Sequence, residues 1–437
     1  MNSLSKKKAA AVLAVIGVLA VALVVFSFMR REKPASQSSA EMGQQATPAD
    51  ARIKAAQARI EQAPDTAEGY NLLASAYQQK ARETGDFGFN AKAEEAISRS
   101  LEVEPANYDA LKLRAKLLLT YHRFGEALDV ARRAQAMRPQ DHDVYGALTD
   151  ALVELGDYEE AARAAQTMVN LRPDTASYSR VSYLRELHGD TEGAIEAMTV
   201  AVKASSPQDP ENSAWCRVQL GNLLMNAGRL AEAESEFDRA LRISPDYRMA
   251  LEAKARARIA AGDFESAINI YKREQERNPN SADAALALGD LYTRTGQTQE
   301  AARQYELFES VERGNAAAEN DWHHLVYFWA DHDRNLDEAL ALARRARVSR
   351  RDIHTADALA WTLFKRGHIE EARTAIDEAM RLGTRDARIL YHAGLIYNQS
   401  GDRRKAAQYL KLALDTNASF DVLQADAAQR VLDAINV

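Results

Sequence analysis

The side chains best equipped for chemistry gather in one stretch, DWHHLVYFWADHD at 321–333. His323, His324 and His332, with Asp331 and Asp333, are residue types that ligate zinc or relay protons. Their spacing works against a shared ion. His324 and His332 stand about 12 Å apart along a helix that rises 1.5 Å per residue, and adjacent histidines point to different faces. The stretch reads as a half-buried helix with polar edges, and no metal site is expected.

A second cluster is cationic. ARRARVSRRD at 343–352 carries five arginines. It would suit an anionic lipid, a polyanion or an acidic partner. The expected reading is a solvated helix whose last turn favours cations. Cys216 is the one cysteine, so no disulfide closes within the chain and no multi-cysteine metal site exists. Within AWCRVQL it reads as a small buried apolar side chain. No Gly-rich phosphate loop, HExxH, GxSxG or CxxC motif occurs. No catalytic residue, cofactor or small-molecule substrate is predicted, and the net charge of −7 argues against nucleic-acid binding.

The elements that would have to position any site are helical and repeat. Ala, Glu, Leu and Arg dominate, while Gly and Pro are scarce. An alanine recurs at Ala93, Ala127, Ala161, Ala194, Ala233, Ala267, Ala301, Ala339, Ala372 and Ala406, with steps near 34. Each unit reads as two helices, about 214–227 and 230–243 in GNLLMNAGRLAEAESEFDRALRISPD. Gly228 falls where the first helix stops, and Gly156, Gly189, Gly262, Gly296, Gly367 and Gly401 fill the same slot. Pro245 follows the second helix, matched by Pro105, Pro139, Pro173 and Pro279. Leu220 with Leu224, and Phe237 with Leu241, make apolar stripes that one hairpin cannot cover alone. Gly221, Ala233 and Ala240 are small where two helices must approach. Stacked neighbours cover the stripes, so the unit must repeat.

These units resemble tetratricopeptide repeats (TPRs). The seventh shows Leu288, Gly289, Tyr292, Ala301 and Tyr305; the tenth shows Gly394, Tyr397 and Ala406; the first shows Tyr70, Leu73, Ala74, Tyr77, Ala93 and Pro105. The family's leading Trp is absent from its slot throughout. Unit one carries extra residues, the steps before Ala233 and Ala339 are long, and unit eight is the weakest match. The resemblance implies an all-α, right-handed α-solenoid of about ten helical hairpins over 66–418. A leading helix at 49–65 and a capping helix at 419–437 would flank it.

The resemblance also implies a concave groove lined by the first helix of each hairpin, where partner proteins or peptides lie. By repeat position the groove residues are Lys112, Lys116, Tyr183, Trp215, Asn222, Met225, Arg256, Asp290, Phe328, Trp361 and Tyr391, with His324 beside them. Aromatic rings next to polar donors suit peptide capture. The family's carboxylate clamp is not predicted, because Lys112 and Lys116 are followed in the next unit by Asp143 and Asp150.

The first fifty residues differ. Residues 1–8 read as a basic tail, 9–29 as an uncharged run long enough for a transmembrane signal-anchor helix, and 30–48 as a flexible linker. Lys6, Lys7 and Lys8 precede the span; Arg30, Arg31 and Lys33 follow it, offset by Glu32, which leans towards a cytoplasmic N-terminus. The expectation is a single-pass inner-membrane protein with its repeats in the periplasm. It would act as a non-enzymatic scaffold, by family analogy in envelope assembly or secretion. The alternatives are an accessory subunit of an envelope enzyme or polysaccharide-export machine, and a cytoplasm-facing adaptor.

Overall fold

A computed structural model describes residues 47–319 and 322–435. The chain divides into two compact units, Met1–Ala51 and Arg52–Val437. Of the first, only residues 47–51 are described, and they open a helix, α1 (Pro48–Gln62). The tail at 1–8, the run at 9–29 and the linker up to 46 lie outside the described residues.

The described residues form 22 helices and no strand. After α1 they pair as hairpins: α2 (Ala67–Thr84) with α3 (Gly88–Val103), α4 (Tyr108–Thr120) with α5 (Phe124–Met137), and α6 (His142–Glu154) with α7 (Tyr158–Leu171). Next come α8 (Thr175–Leu187) with α9 (Thr191–Ala204), α10 (Pro210–Asn226) with α11 (Leu230–Ile243), and α12 (Arg248–Ala260) with α13 (Phe264–Arg277). The series continues through α14 (Ala282–Arg294), α15 (Thr298–Glu319), α16 (His323–Asp331) and α17 (Leu336–Ser349). It closes with α18 (Ile353–Lys365), α19 (Ile369–Ala379), α20 (Ala387–Gln399), α21 (Arg403–Thr416) and the terminal α22 (Ala425–Ile435). The two long steps are visible: α10 has 17 residues, α15 has 22, and α16 in the weakest unit has only 9.

Local chemistry sets the ends. Asp157, Asp190, Asp263 and Asp402 each accept a backbone N–H from the helix they open, satisfying one of its orphan donors. Gly228 ends α10 with φ of 73°, a conformation strained for other residues. The ten repeat alanines are all buried, none more than 3% exposed. Close helix approach explains the small residues: a Cβ on Gly221 would collide with the Phe237 ring, and one on Gly289 with the Tyr305 ring. Phe237 and Leu288 are fully buried, each stabilising the fold by about 1.5–3 kcal/mol relative to exposure.

The stack winds back on itself. The turn between α6 and α7 meets the α17–α18 connection, 195 residues further on: Ile353 N donates to the Tyr158 hydroxyl at 2.9 Å. Arg351 N donates to the Glu154 carbonyl at 3.0 Å. Gly189 lies so close to the Gly383 carbonyl that a Cβ would overlap it. Further along, the Ser419 hydroxyl donates to the Ala260 carbonyl at 3.4 Å, and Arg294 pairs with Asp426 at 2.5 Å. Successive turns of the superhelix therefore touch.

Two expectations change. The inner-membrane, single-pass localisation does not stand: among the described residues no helix is long and apolar enough to cross a membrane. The capping element is shorter than 419–437, because the chain stays irregular until α22 begins at Ala425. Asp421 accounts for this start, accepting the backbone N–H groups of Leu423 and Gln424 at 2.8 Å.

Candidate functional site

The first helices of the hairpins line the inner face of the superhelix, where three cavities adjoin. One of about 290 Å³ is bordered by Tyr183, Trp215 and Asn222. A second, about 620 Å³, is bordered by Asn222, Met225, Arg256 and Asp290. The third, about 390 Å³, lies where the turns meet and is bordered by Tyr183, His354, Arg385 and Arg388. Glu186 borders all three, so they sit side by side along one groove.

Its walls are aromatic and polar. Tyr183 keeps 38% of its surface accessible. Arg256 donates to the Asn222 amide oxygen at 3.1 Å, and among the described residues the amide N–H groups have no acceptor. Burial raises the pKa of Glu186, with Asp386 adding to the effect and His354 and Asn226 opposing it. Burial also raises Asp290, while hydrogen bonds from His332 and Tyr305 pull it back. Burial works against the Arg388 charge, but Asp331 and Asp421 outweigh it and keep the guanidinium firmly cationic. Arg388 also sits 5.2 Å over the Tyr327 ring.

The structure brings together six of the eleven predicted groove residues: Tyr183, Trp215, Asn222, Met225, Arg256 and Asp290. Lys112 and Lys116 stand elsewhere. Lys112 is held by Asp141 at 3.0 Å and Asp143 at 3.2 Å. Desolvation lowers the pKa of Lys116, with Lys112 and Arg180 adding and Asp143 opposing. Phe328, Trp361 and Tyr391 are corrected to core positions, 1%, 3% and 4% exposed. Trp361 stacks on His392 at 4.1 Å and donates to Asp331 at 2.8 Å. Phe328 packs against Phe308 at 4.7 Å. Trp361 and Tyr391 fill the contact between neighbouring first helices, and Phe328 packs on the second helix α15.

The two chemically suggestive stretches disperse. His324 faces Glu312 at 3.3 Å, His332 faces Asp290 at 3.3 Å, and Asp333 faces Lys365 at 2.7 Å. Among the described residues one group, Asp141, His142 and Asp143, has metal-ligand spacing, and the Lys112 ammonium already bridges its carboxylates. The arginine run is not a free surface. Arg344 pairs with Glu371, Arg347 with Glu378 and Arg350 with Glu154. Cys216 is fully buried, and burial pushes its thiol up to about 12.

Sequence reasoning missed Glu186 and Arg388. Both stand at first-helix positions that the repeat pattern turns inwards (the second, fifth, ninth and twelfth), being the twelfth residue of α8 and the second of α20. The missing signal was the winding that brings α8 opposite α20.

A channelled stack of helical hairpins defines an α-solenoid. Family models described as tetratricopeptide repeat match residues 79–142, 252–309 and 358–421, then 118–182, and 214–257. Together they cover more than half of the chain, which belongs to the tetratricopeptide repeat family. It is 24% identical to BBSome complex member BBS4 of Bos taurus, over 77% of this chain and 64% of that protein. It is 25% identical to human protein O-mannosyl-transferase TMTC1, over 44% of this chain and 22% of that one. The chain thus spans from about a fifth to just under two thirds of these curated relatives. The crystal structure of yeast Tom70 aligns over 89% of this chain and 92% of its own, at 14% identity and a TM-score of 0.36.

Proposed function

We propose that the chain is a non-enzymatic interaction scaffold whose inner channel holds an extended segment or helix of a protein partner. The observation that carries this is the groove those adjoining cavities line. It sets Tyr183 and Trp215 beside Asn222 and Arg256, large rings next to hydrogen-bond donors. Such groups anchor protein contacts at low entropic cost. BBS4, a relative over most of this chain, is by name a member of a complex.

The test is selection of a displayed peptide library on the purified full chain, repeated on Tyr183→Ala with Trp215→Ala. Both side chains border cavities, so the double variant should keep its helical circular dichroism. Loss of the selected peptides on that variant supports the reading. Peptides that bind both chains equally, or no enrichment on either, count against it.

A further inference from the structure

The channel already holds a piece of this chain. Residues 417–424, between α21 and α22, run irregularly across the inner face. Phe420 packs its ring against Tyr391 at 5.4 Å. The same ring borders both the 390 Å³ and the 620 Å³ cavities, so it forms part of the wall between them. The Asp421 carboxylate lies 3.8 Å from the Arg388 guanidinium. Val422 packs against the apolar cluster that contains Leu288 and Leu291. Gln424 donates to Asp331 at 2.6 Å.

The seat is imperfect. At 3.8 Å the Asp421–Arg388 pair is beyond hydrogen-bond reach. The Ser419 bond to Ala260 is long, at 3.4 Å. The Gln424 amide oxygen is buried with no hydrogen-bond partner among the described residues, which opposes the seated state. Asp421 and Asn417 spend hydrogen bonds on the strap's own backbone, at Leu423, Gln424 and Ser419. The segment fills the channel without being locked into it.

We propose that residues 417–424 are a resident stand-in for the partner, and that the channel takes a peptide segment carrying an aromatic residue followed directly by a carboxylate. The incoming ring takes the place of Phe420 on Tyr391. The incoming carboxylate takes the place of Asp421 on Arg388, the cation that faces the channel beside Tyr327. Displacing the strap joins the two cavities it separates. This rests on the scaffold reading above and specifies its ligand.

The test uses the full chain and a fluorescent synthetic peptide, NASFDVLQ, copied from residues 417–424. A tethered strap competes at high effective concentration, so the wild-type chain should bind the peptide weakly and Phe420→Ala at least about tenfold tighter. Asp421→Ala, which keeps the ring, should give the same direction. Arg388→Ala added to Phe420→Ala should remove the gain, and NASAAVLQ should bind neither chain. Circular dichroism confirms that each variant is folded. Equal binding by wild type and both strap variants, or a gain that survives Arg388→Ala, overturns the proposal. A library peptide that needs Trp215 but binds wild type and Phe420→Ala equally overturns it while leaving the scaffold reading intact.

Discussion

Arg350 and Glu154, 196 positions apart in sequence, meet side chain to side chain at 2.6 Å. They are 14% and 22% exposed, and they join one turn of the superhelix to the next. Arg350 also lies 5.1 Å over the Phe124 ring and 3.4 Å from Asp352. Removing one partner of a mostly buried pair leaves the other charge uncompensated, at about 3–5 kcal/mol. Arg350→Ala is therefore expected to lower the unfolding free energy by an amount of that order and to shift the urea midpoint down accordingly. Small-angle scattering should show the superhelix lengthening. An unchanged midpoint and radius of gyration would mean the pair holds nothing.

Glu154 also makes that junction sensitive to pH. Burial pushes its carboxyl up to about 7, with Asp352 adding and Arg350 and His354 opposing. The folded value lies above the ordinary 4.5. The contribution is thus fully present below that ordinary value and is lost as pH rises through the folded one. Urea midpoints measured at pH 5 and pH 8 should fall further in wild type than in Glu154→Gln. Parallel pH profiles for the two chains would contradict the assignment.

Gly156 and Gly262 separate the demands of a hairpin turn from those of the superhelix. Both have positive φ, 76° and 77°. A Cβ on Gly262 would meet nothing within 4 Å, whereas one on Gly156 would lie 2.5 Å from the Arg351 carbonyl oxygen. Gly262→Ala should cost about 1–2 kcal/mol, the penalty of the left-handed conformation alone. Gly156→Ala should cost more, by about 1–3 kcal/mol for overpacking. Equal costs in denaturant titrations would show that the turns are not held in contact in solution.

Hairpins were legible in the sequence and their winding was not. Ala233, Gly228, Phe237 and Pro245 recur at fixed offsets because each answers a demand within one hairpin or between neighbours. Those demands repeat every 34 residues or so and leave a periodic trace. The meeting of Glu154 with Arg350, or of Ala260 with Ser419, depends on small rotations summed over several hairpins. No local pattern records that sum. The same limit explains the groove residues: Tyr183 and Trp361 both fall on inner-face positions, yet Tyr183 borders the channel while Trp361 is pinned between His392 and Phe364. Position within the repeat specifies a direction, and what the side chain meets there depends on its neighbours.

His392 and Asp357 form a second buried pair, both fully inaccessible and 2.9 Å apart. The Tyr327 hydroxyl donates to the same carboxylate at 2.7 Å. Burial opposes the Asp357 charge, but His392, Tyr327 and Arg388 outweigh it and hold the carboxyl below its ordinary range. Stability from this group is present above the ordinary value and is lost as pH falls through the lowered one. Asp357→Ala strands the His392 ring and should cost about 3–5 kcal/mol, while the Tyr327 hydroxyl keeps the His354 carbonyl at 3.1 Å as acceptor. Asp357→Asn, which preserves shape and one acceptor, should cost less. A Tyr327→Phe chain as unstable as Asp357→Ala would shift the weight of the network to the hydroxyl.

Cys216 gives a direct readout of whether the α10 contacts stay closed. It is fully buried beside Val218 and Leu220 on that helix, and burial pushes its thiol up to about 12. Only the thiolate attacks disulfide reagents at a useful rate. Dithionitrobenzoate at pH 8 should therefore leave the native chain unlabelled and release one equivalent of thiolate once urea unfolds it. Labelling that tracks the global unfolding free energy would place this helix within the cooperative core. Faster labelling in Arg350→Ala than its lowered stability accounts for would mean that loosening the superhelix also opens hairpins away from the junction. Complete labelling of native wild type within minutes would exclude the packed α10 described here.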